Sequence, residues 1–168
     1  MALEIQRASI KHLDDYRSYI VECYESGLEH YESDVRNPEK SLGSVIDAAN
    51  GKNLPDGWEP YETYFAIRGS RILGAIRLRL GDNDFIRTHI GHIGYETRPS
   101  ERGNGVAKAL LKSIVTSKLT HTALLMCDTD NVASVKVIES VDHRPVGNDE
   151  KPEHKNPRKR KFYVGPNA

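Results

Sequence analysis

Two glycines stand where a predicted strand turns directly into a predicted helix. The segment from Arg98 to Ala107 reads RPSERGNGVA, so Gly103 and Gly105 come just before an apolar pattern of helical spacing. The N-terminus of a helix exposes unpaired N–H groups with a partial positive charge, and glycines let an anion approach the backbone closely. A pyrophosphate fits such a loop, although the glycines can also serve only the conformation of the turn.

The strand that leads into this loop carries two side chains that could act as bases. Strand alternation places His92 and Glu96 on one face and Tyr95 and Thr97 on the other. At about 3.3 Å per residue, His92 and Glu96 lie about 13 Å apart, which is too far for a direct hydrogen bond. An imidazole and a carboxylate can each remove a proton from a substrate, but both are also common as structural groups.

Hydrophobic patterning indicates the elements that position these residues. It predicts an α/β (α+β) fold in a single domain, with a mixed, mostly antiparallel sheet of about six or seven strands flanked by about four helices. The predicted strands are 3–8, 61–68, 72–80, 89–98, 123–127 and 162–164, and the predicted helices are 13–31, 42–50, 106–119 and 131–140.

The composition excludes several classes of protein. The chain has 168 residues with 24 basic and 24 acidic side chains, so no surplus of positive charge indicates a nucleic-acid partner. No apolar run approaches the roughly 20 residues that span a bilayer, and the start, MALEIQRAS, lacks the pattern of a signal peptide. We therefore expect a cytoplasmic protein with no membrane partner. Cys23 and Cys127 stand in no metal-ligand spacing, so we expect neither disulfides nor a metal site.

The loop and its surroundings resemble the GNAT superfamily of N-acetyltransferases. The residues from Arg102 to Ala107 fit the family signature Q/R-x-x-G-x-G/A, with Arg102, Gly105 and Ala107 on its defining positions. The stretch GHIGYETRPSERGNGVAKALL looks like the family's fourth strand, phosphate loop and third helix, and CDTDNVASVKVIE resembles the segment after its fifth strand. The resemblance covers most of residues 3–139 and leaves a basic tail, 141–168, poorly matched.

The resemblance implies one acetyltransferase domain over residues 1–168 with acetyl-CoA as co-substrate and no metal. Acceptor-side helices would occupy about 12–50 and the acetyl-CoA-binding core about 61–140. In the family the loop amides hold the pyrophosphate, and the fourth strand pairs with the pantetheine arm like an added strand. The implied cofactor contacts are Tyr95, Glu96, Thr97, Arg102, Gly103, Asn104, Gly105, Val106, Ala107, Asn131 and Ser134.

The resemblance further implies acetyl transfer to a primary amine by direct attack in a ternary complex. An alkylammonium with a pKa of about 10.4 is neutral roughly once in 2,500 at pH 7, a cost near 4.6 kcal/mol, so a base is valuable. His92 and Glu96 are the candidate bases. A backbone N–H near Tyr95 to Thr97 is the implied donor to the oxyanion.

The residue that would donate a proton to the leaving thiolate differs from the one in the family pattern. The family uses a Tyr seven residues after the Asn that corresponds to Asn131, and this chain has Ile138 there. Either the thiolate leaves unassisted, or Tyr95 or Tyr163 assists, or the protein binds acyl-CoA without turnover. A dinucleotide-dependent oxidoreductase is a further alternative, but Lys108 stands where GxGxxG requires a small residue.

The acceptor is left open between a small-molecule amine and a peptide amine, and a homodimer is possible. Trp58, Tyr61 and Tyr64 are candidate walls of its pocket. Residues 22–39 hold six acids against one base, which weakly favours a cationic acceptor, although a solvated helix face explains them better. Residues 151–161 hold six bases against one acid, and we expect a solvated loop there.

Overall fold

Seven strands form one sheet in the computed structural model, which describes residues 2–147 and 154–168. The strands are β1 (Glu4–Arg7), β2 (Tyr61–Arg68), β3 (Arg71–Arg79), β4 (Ile93–Thr97), β5 (Ala123–Asp128), β6 (His143–Pro145) and β7 (Lys159–Val164). Their order is β1, β2, β3, β4, β5, β7, β6, and among these described strands only β4 and β5 are parallel neighbours. The mixed, mostly antiparallel α/β fold that the sequence predicts is therefore confirmed.

Five α-helices cover the two faces of the sheet in the described part of the chain. They are α1 (Leu13–Glu25), α2 (Glu32–Arg36), α3 (Pro38–Ala48), α4 (Val106–Ser117) and α5 (Val132–Ile138). The predicted single helix over 13–31 is wrong in length, because Gly27 adopts a φ of 94° in the left-handed region and ends α1. A single 3-10 turn, Glu29–Tyr31, then leads into α2.

The strand before the glycine loop is shorter than predicted. Residues Ile86–Ile90 form a π-helical turn, and β4 begins only at Ile93 rather than at His89. Gly91 lies between them with a φ of 68°, and a Cβ there would be 2.8 Å from the carbonyl oxygen of Leu124. The close approach of β5 therefore requires glycine at this position.

Part of the basic tail forms a strand of the sheet, although the sequence predicts a solvated loop there. Residues 151–153 lie outside the described residues, but 159–161 belong to β7, which pairs along the whole of β5. Lys159 forms an ion pair with Asp128 across this pairing, at 2.7 Å. The expected loop is therefore wrong for these residues, because their backbone completes the sheet beside β5.

Two buried clusters lie on opposite faces of the sheet. The first packs α1 and α3 against β2 and β3 through Tyr16, Tyr19, Ile20, Cys23, Leu42, Phe65, Ile67 and Ile72. The second packs α4 and α5 against the sheet through Leu73, Ile76, Ile93, Leu110, Leu111, Ile114, Leu125 and Ile138. Both cysteines are buried and free, as the sequence predicts.

Gly74 of β3 determines how closely α4 can approach the sheet. This residue pairs with Thr97 of β4. A Cβ on Gly74 would lie 2.7 Å from the carbonyl oxygen of Glu96 and 3.0 Å from Cγ1 of Val106, the first residue of α4. The start of α4 therefore packs so closely against Gly74 that a larger residue at position 74 would displace its neighbours.

We expect Gly74→Ala to lower the free energy of unfolding by about 1–3 kcal/mol, because the added methyl overpacks a buried contact. Gly43→Ala is the matched control, since Gly43 lies within α3 and a Cβ there would meet no heavy atom within 4 Å. Alanine should stabilise that helix by about 0.5–1 kcal/mol. Urea denaturation at pH 7 measures both variants, and wild-type stability of Gly74→Ala would contradict the close packing.

Candidate active site

The parallel strands β4 and β5 share only one register pair, Ile93 with Leu125. On its other edge β4 stays paired with β3 as far as Thr97, opposite Gly74. Beyond Ile93, β4 has no further register pair with β5 in the described part of the chain. The sheet therefore has a gap between the C-terminal halves of two neighbouring strands.

The hydrogen bonds to β3 determine which backbone groups of β4 face this gap. Arg98, directly after β4, donates its N–H to the carbonyl oxygen of Leu73 at 2.8 Å. Neighbouring residues of a strand turn their backbone groups to opposite edges, so those of Tyr95 and Thr97 turn away from β3. They face the gap like the free edge of a sheet, and an extended ligand with amide groups can pair with them.

The loop after β4 is exposed and leads into α4, whose N-terminus has no side-chain cap. Gly103 and Gly105 both adopt left-handed conformations, with φ of 83° and 78°. Gly105 is the N-cap residue of α4, and no side chain caps the helix. The N–H groups of Gly105, Val106 and Ala107 donate no hydrogen bond within residues 2–147 and 154–168. These donors, with the helix dipole behind them, can bind an anion.

The other residues predicted to touch the cofactor surround this loop and the gap. The side chains of Arg102 and Asn104 are exposed, while the side chain of Val106 is buried in the core. The side-chain oxygen of Asn131 caps α5 by accepting the N–H of Ser134 at 2.9 Å. Ala107 is partly buried in the first turn of α4.

The side chain of Tyr95 crosses the gap from β4 to α5. Its hydroxyl lies 2.7 Å from Oγ of Ser134 and 3.2 Å from the Ser134 carbonyl oxygen, which accepts a hydrogen bond. Burial raises the pKa of Tyr95 to about 12, so the hydroxyl stays protonated at neutral pH. Ile138, which stands where the family pattern has a tyrosine, is fully buried in the core.

A cavity of about 180 Å³ lies on the opposite face of β4, and Glu96 is one of the residues that line it. Oε2 of Glu96 lies 3.3 Å from the hydroxyl of Tyr31, which donates, and 3.4 Å from Nε2 of His30. Oε1 is buried and has no hydrogen-bond partner. Burial, followed by the charge of Glu96, raises the pKa of Tyr31. The carboxylate therefore has one oxygen held by neighbouring side chains and one that is buried without a hydrogen-bond partner.

Two arginines of β3, Arg77 and Arg79, line the same cavity. Arg79 donates from Nη1 to the carbonyl oxygen of Gly91 at 3.1 Å. Burial, and then the charge of Arg77, lowers the pKa of Arg79 to about 10, so it is still cationic at neutral pH. Cζ of Arg77 lies 5.8 Å from the ring centre of Tyr61.

His92 lies in a different cavity, of about 310 Å³, at the other end of β4. Its Nδ1 accepts the N–H of Leu124 at 3.1 Å, and its Nε2 lies 3.5 Å from Oδ1 of Asp82. Burial lowers the pKa of His92, so the ring is neutral at pH 7. Tyr163 lines this second cavity, with Arg144 4.4 Å above its ring. The fold thus separates His92 and Tyr163 from Glu96.

A model of the acetyltransferase (GNAT) family matches residues 14–141. The chain belongs to this family. Membership makes the protein an acetyltransferase, in the acyltransferase class of enzymes, with acetyl-CoA as its co-substrate. Membership in the GNAT family also argues against the alternative that the protein is a dinucleotide-dependent oxidoreductase. A search of curated protein sequences finds no match.

Solved GNAT structures share the fold across nearly the whole chain. A ribosomal L7/L12 alpha-N-protein acetyltransferase with coenzyme A aligns at a TM-score of 0.65 and 16% identity, covering 98% of this chain and 95% of that one. The microcin C7 self-immunity acetyltransferase MccE with acetyl-CoA and AMP gives 0.64 and 14%, covering 96% and 90%. The PaiA N-acetyltransferase of Thermoplasma acidophilum with coenzyme A gives 0.61 and 17%, covering 98% and 99%.

No cluster of three or more His, Cys, Asp or Glu side chains among residues 2–147 and 154–168 could hold a metal ion. No helix in this part of the chain is long and apolar enough to cross a membrane.

The aromatic candidates for the acceptor pocket and the cysteine of β5 have clear positions. Tyr61 lies beneath Arg77, one of the residues that line the Glu96 cavity, and Trp58 is 6.4 Å from Tyr61, so both stay candidate walls. The expectation for Tyr64 is wrong, because its side chain points to the opposite face of the sheet and packs in the core beside α4.

Cys127 of β5 is buried, which raises the pKa of its thiol and weakens it as a nucleophile.

The sequence did not indicate the ionic cluster that attaches α1 to the phosphate loop. Arg98 is buried and donates from Nε to Glu22, from Nη2 to Ser18 Oγ (2.8 Å) and from Nη1 to the Ile72 carbonyl oxygen (3.1 Å). Oε1 of Glu22 accepts the N–H of Ser100 at 2.8 Å. No sequence spacing links these residues, since Glu22 and Arg98 come from separate elements.

We expect Glu22→Gln to destabilise the protein by about 2–3 kcal/mol at pH 7. Partial burial alone would raise the pKa of Glu22, but hydrogen bonds from Ser100 and Arg98 lower it from 4.5 to about 2. The carboxylate therefore stabilises the fold fully above about pH 4.5, and this contribution is lost as the pH falls toward 2. Urea denaturation between pH 3 and 7 should show the two proteins converging at low pH. Glu25→Gln, on the same helix and exposed, should show no such pH-dependent difference.

We expect Gly105→Glu to weaken acetyl-CoA binding by at least about 100-fold, because a carboxylate would meet the pyrophosphate at the N-terminus of α4. Gly57→Glu is the control, since Gly57 has a similar φ of 79° and no atom near its Cβ position. It introduces the same charge and backbone strain in another loop. Calorimetric titration with acetyl-CoA compares the variants, and unchanged affinity in Gly105→Glu would refute this position for the pyrophosphate.

Proposed function

We propose that this GNAT enzyme transfers the acetyl group of acetyl-CoA to a primary amine by direct attack in a ternary complex, with Glu96 as general base. The position of Glu96 carries the proposal. Its side chain lies in the cavity on one face of β4, while the backbone groups of Tyr95 and Thr97 face the gap beside it. An amine in the cavity would lie next to Glu96. The thioester would lie beside Tyr95 and Thr97, the residues before and after Glu96 on β4.

The cofactor would lie along β4 and its loop. The amides from Gly103 to Ala107 and the side chain of Arg102 would bind the pyrophosphate, as the uncapped start of α4 supports. The pantetheine arm would pair with Tyr95 and Thr97 in the gap, next to Asn131 and Ser134 at the start of α5. In this arrangement residues 61–140 bind the cofactor and residues 12–50 shape the acceptor side.

The environment of Glu96 suits a base for an amine. Its Oε1 is buried without a partner, so an ammonium N–H or a water molecule would satisfy it. Deprotonating an alkylammonium at pH 7 costs about 4.6 kcal/mol, which is the cost that a positioned carboxylate helps to offset. Tyr31 holds the other oxygen and so fixes the direction of the carboxylate.

His92 suits this role less well than Glu96. Its Nδ1 already accepts a hydrogen bond from the N–H of Leu124, so the neutral ring carries its proton on Nε2 and has no free lone pair. It also lies in the cavity at the other end of β4. We therefore assign His92 to the structure of the β4–β5 junction.

The tetrahedral oxyanion and the leaving thiolate need hydrogen-bond donors. The N–H of Tyr95 faces the gap and could donate to the oxyanion. The protonated hydroxyl of Tyr95, held by Ser134, is a better candidate acid than Tyr163, which lies in the other cavity. A thiol with a Cys-like pKa near 8.5 needs little assistance, which fits the replacement of the family's tyrosine by Ile138.

Glu96→Gln should lower kcat/KM for amine acetylation by about 10²–10⁴-fold and leave acetyl-CoA affinity unchanged. His92→Gln should stay within about threefold of wild type. The measurement is CoA release from acetyl-CoA with a broad panel of amines, alongside calorimetric binding and thermal melting of each variant. Tight acetyl-CoA binding with no CoA release on any amine would contradict the proposal and favour a non-catalytic acyl-CoA-binding module.

A further inference from the structure

We propose that the acceptor is a small amine that also carries an anionic group, a carboxylate or a phosphate, and that Arg77 and Arg79 bind this group. The inference rests on the proposed function, because it assumes that the acceptor occupies the cavity where Glu96 acts as base.

The positive charge of the two arginines in this cavity is only partly balanced. Arg77 forms no hydrogen bond or ion pair within the described residues, and Arg79 has only the carbonyl oxygen of Gly91. Partly buried guanidinium groups normally have charged or polar partners, because desolvation otherwise costs free energy. Of the described residues that line the cavity, Arg77 and Arg79 are the two arginines and Glu96 is the only acid.

Both arginines are open to a ligand. Gly94 lies opposite Arg77 on β4, and the position of its missing Cβ is 3.7 Å from Nη1 of Arg79. A side chain at residue 94 would fill the space in front of this guanidinium. The side-chain nitrogens of Arg77 are largely buried but not fully enclosed, since none of them is a completely buried atom without a partner. A planar guanidinium with free donors can bind a carboxylate or a phosphate in a bidentate manner.

The spacing of the charged groups and the size of the cavity limit the acceptor to a small molecule. Glu96 pairs with Ala75, and Arg77 is two residues further along β3, so Glu96 and Arg77 occupy diagonal positions about 7–8 Å apart at Cα. Both side chains are long enough to reach into the space between them. A cavity of about 180 Å³ is below the range of drug-sized pockets, about 300–1,000 Å³. The amine and the anion should therefore be only a few bonds apart.

The acidic segment 22–39 does not make this cavity acidic. Glu22 is held by Arg98 and Ser100, and Glu32 pairs with Arg36 on the surface. None of the acids in the segment lines the cavity. The weak expectation of a cationic acceptor therefore loses its structural support.

Paired amines that differ only in the anion test the inference. We would compare glycine with glycinamide and O-phosphoethanolamine with ethanolamine, and include spermidine as a polycation, at saturating acetyl-CoA. The anionic member of at least one pair should have a kcat/KM at least about tenfold higher, since hydrogen bonds to charged groups are strong. Which pair shows the preference distinguishes a carboxylate from a phosphate.

Arginine variants then separate binding of the anion from a structural role. Arg77→Gln and Arg79→Gln should each lower kcat/KM for the anionic amine by at least about tenfold more than for its neutral partner, so that the preference is lost. Arg77→Lys should restore part of the preference. Arg68→Gln, at the exposed far end of β2, removes the same charge and should change nothing. An equal loss for both members of a pair would indicate a structural role and overturn the inference.

Direct binding keeps this inference distinct from the proposed function. Calorimetric titration of the full chain, loaded with CoA, should show O-phosphoethanolamine or glycine binding more tightly than its neutral partner, and Arg77→Gln should abolish the difference. Such binding without acetylation of any amine would support the anion site and refute the proposed function. Glu96-dependent acetylation that favours neutral amines or spermidine would refute the anion site alone.

Discussion

Parallel strands β4 and β5 pair at Ile93 and Leu125 and then separate, which leaves the backbone groups of Tyr95 and Thr97 without a strand to bond. Unpaired backbone groups inside a sheet are costly unless water or a ligand satisfies them. In the arrangement that we propose, the cofactor arm would replace the missing ladder. The loop, the start of α4 and the start of α5 all lie along the same gap because each follows the end of one of these two strands.

Contacts on both faces of the sheet hold the elements that border this gap. On one face, α4 packs against β3 at Gly74, which admits Val106 at close range. On the other face, α1 is attached to the loop through Glu22 and Arg98. The phosphate loop is thus fixed from both faces of the sheet, although it is itself exposed and rich in glycine. Such support lets backbone donors hold fixed directions before any ligand arrives.

Although the chain has zero net charge, it has two different kinds of donor that can attract an anion. At the start of α4 the donors are backbone N–H groups, so the site needs no surplus of Lys and Arg. In the cavity where we propose that the acceptor binds, the donors would be the guanidinium groups of Arg77 and Arg79, with Glu96 as the opposing charge. Local arrangement, and not the total charge, therefore determines what each site can bind.

The sequence alone determined the features that depend on near neighbours in the chain. The strand, loop and helix around Gly103 and Gly105 were predictable because turn chemistry and apolar spacing are local. Strand alternation also correctly put Glu96 and Tyr95 on opposite faces of β4. Only the tertiary structure decided that Arg77 and Glu96 share a cavity while His92 lies outside it. These relations depend on the pairing of β3 with β4 and on where β4 begins, which no local pattern encodes.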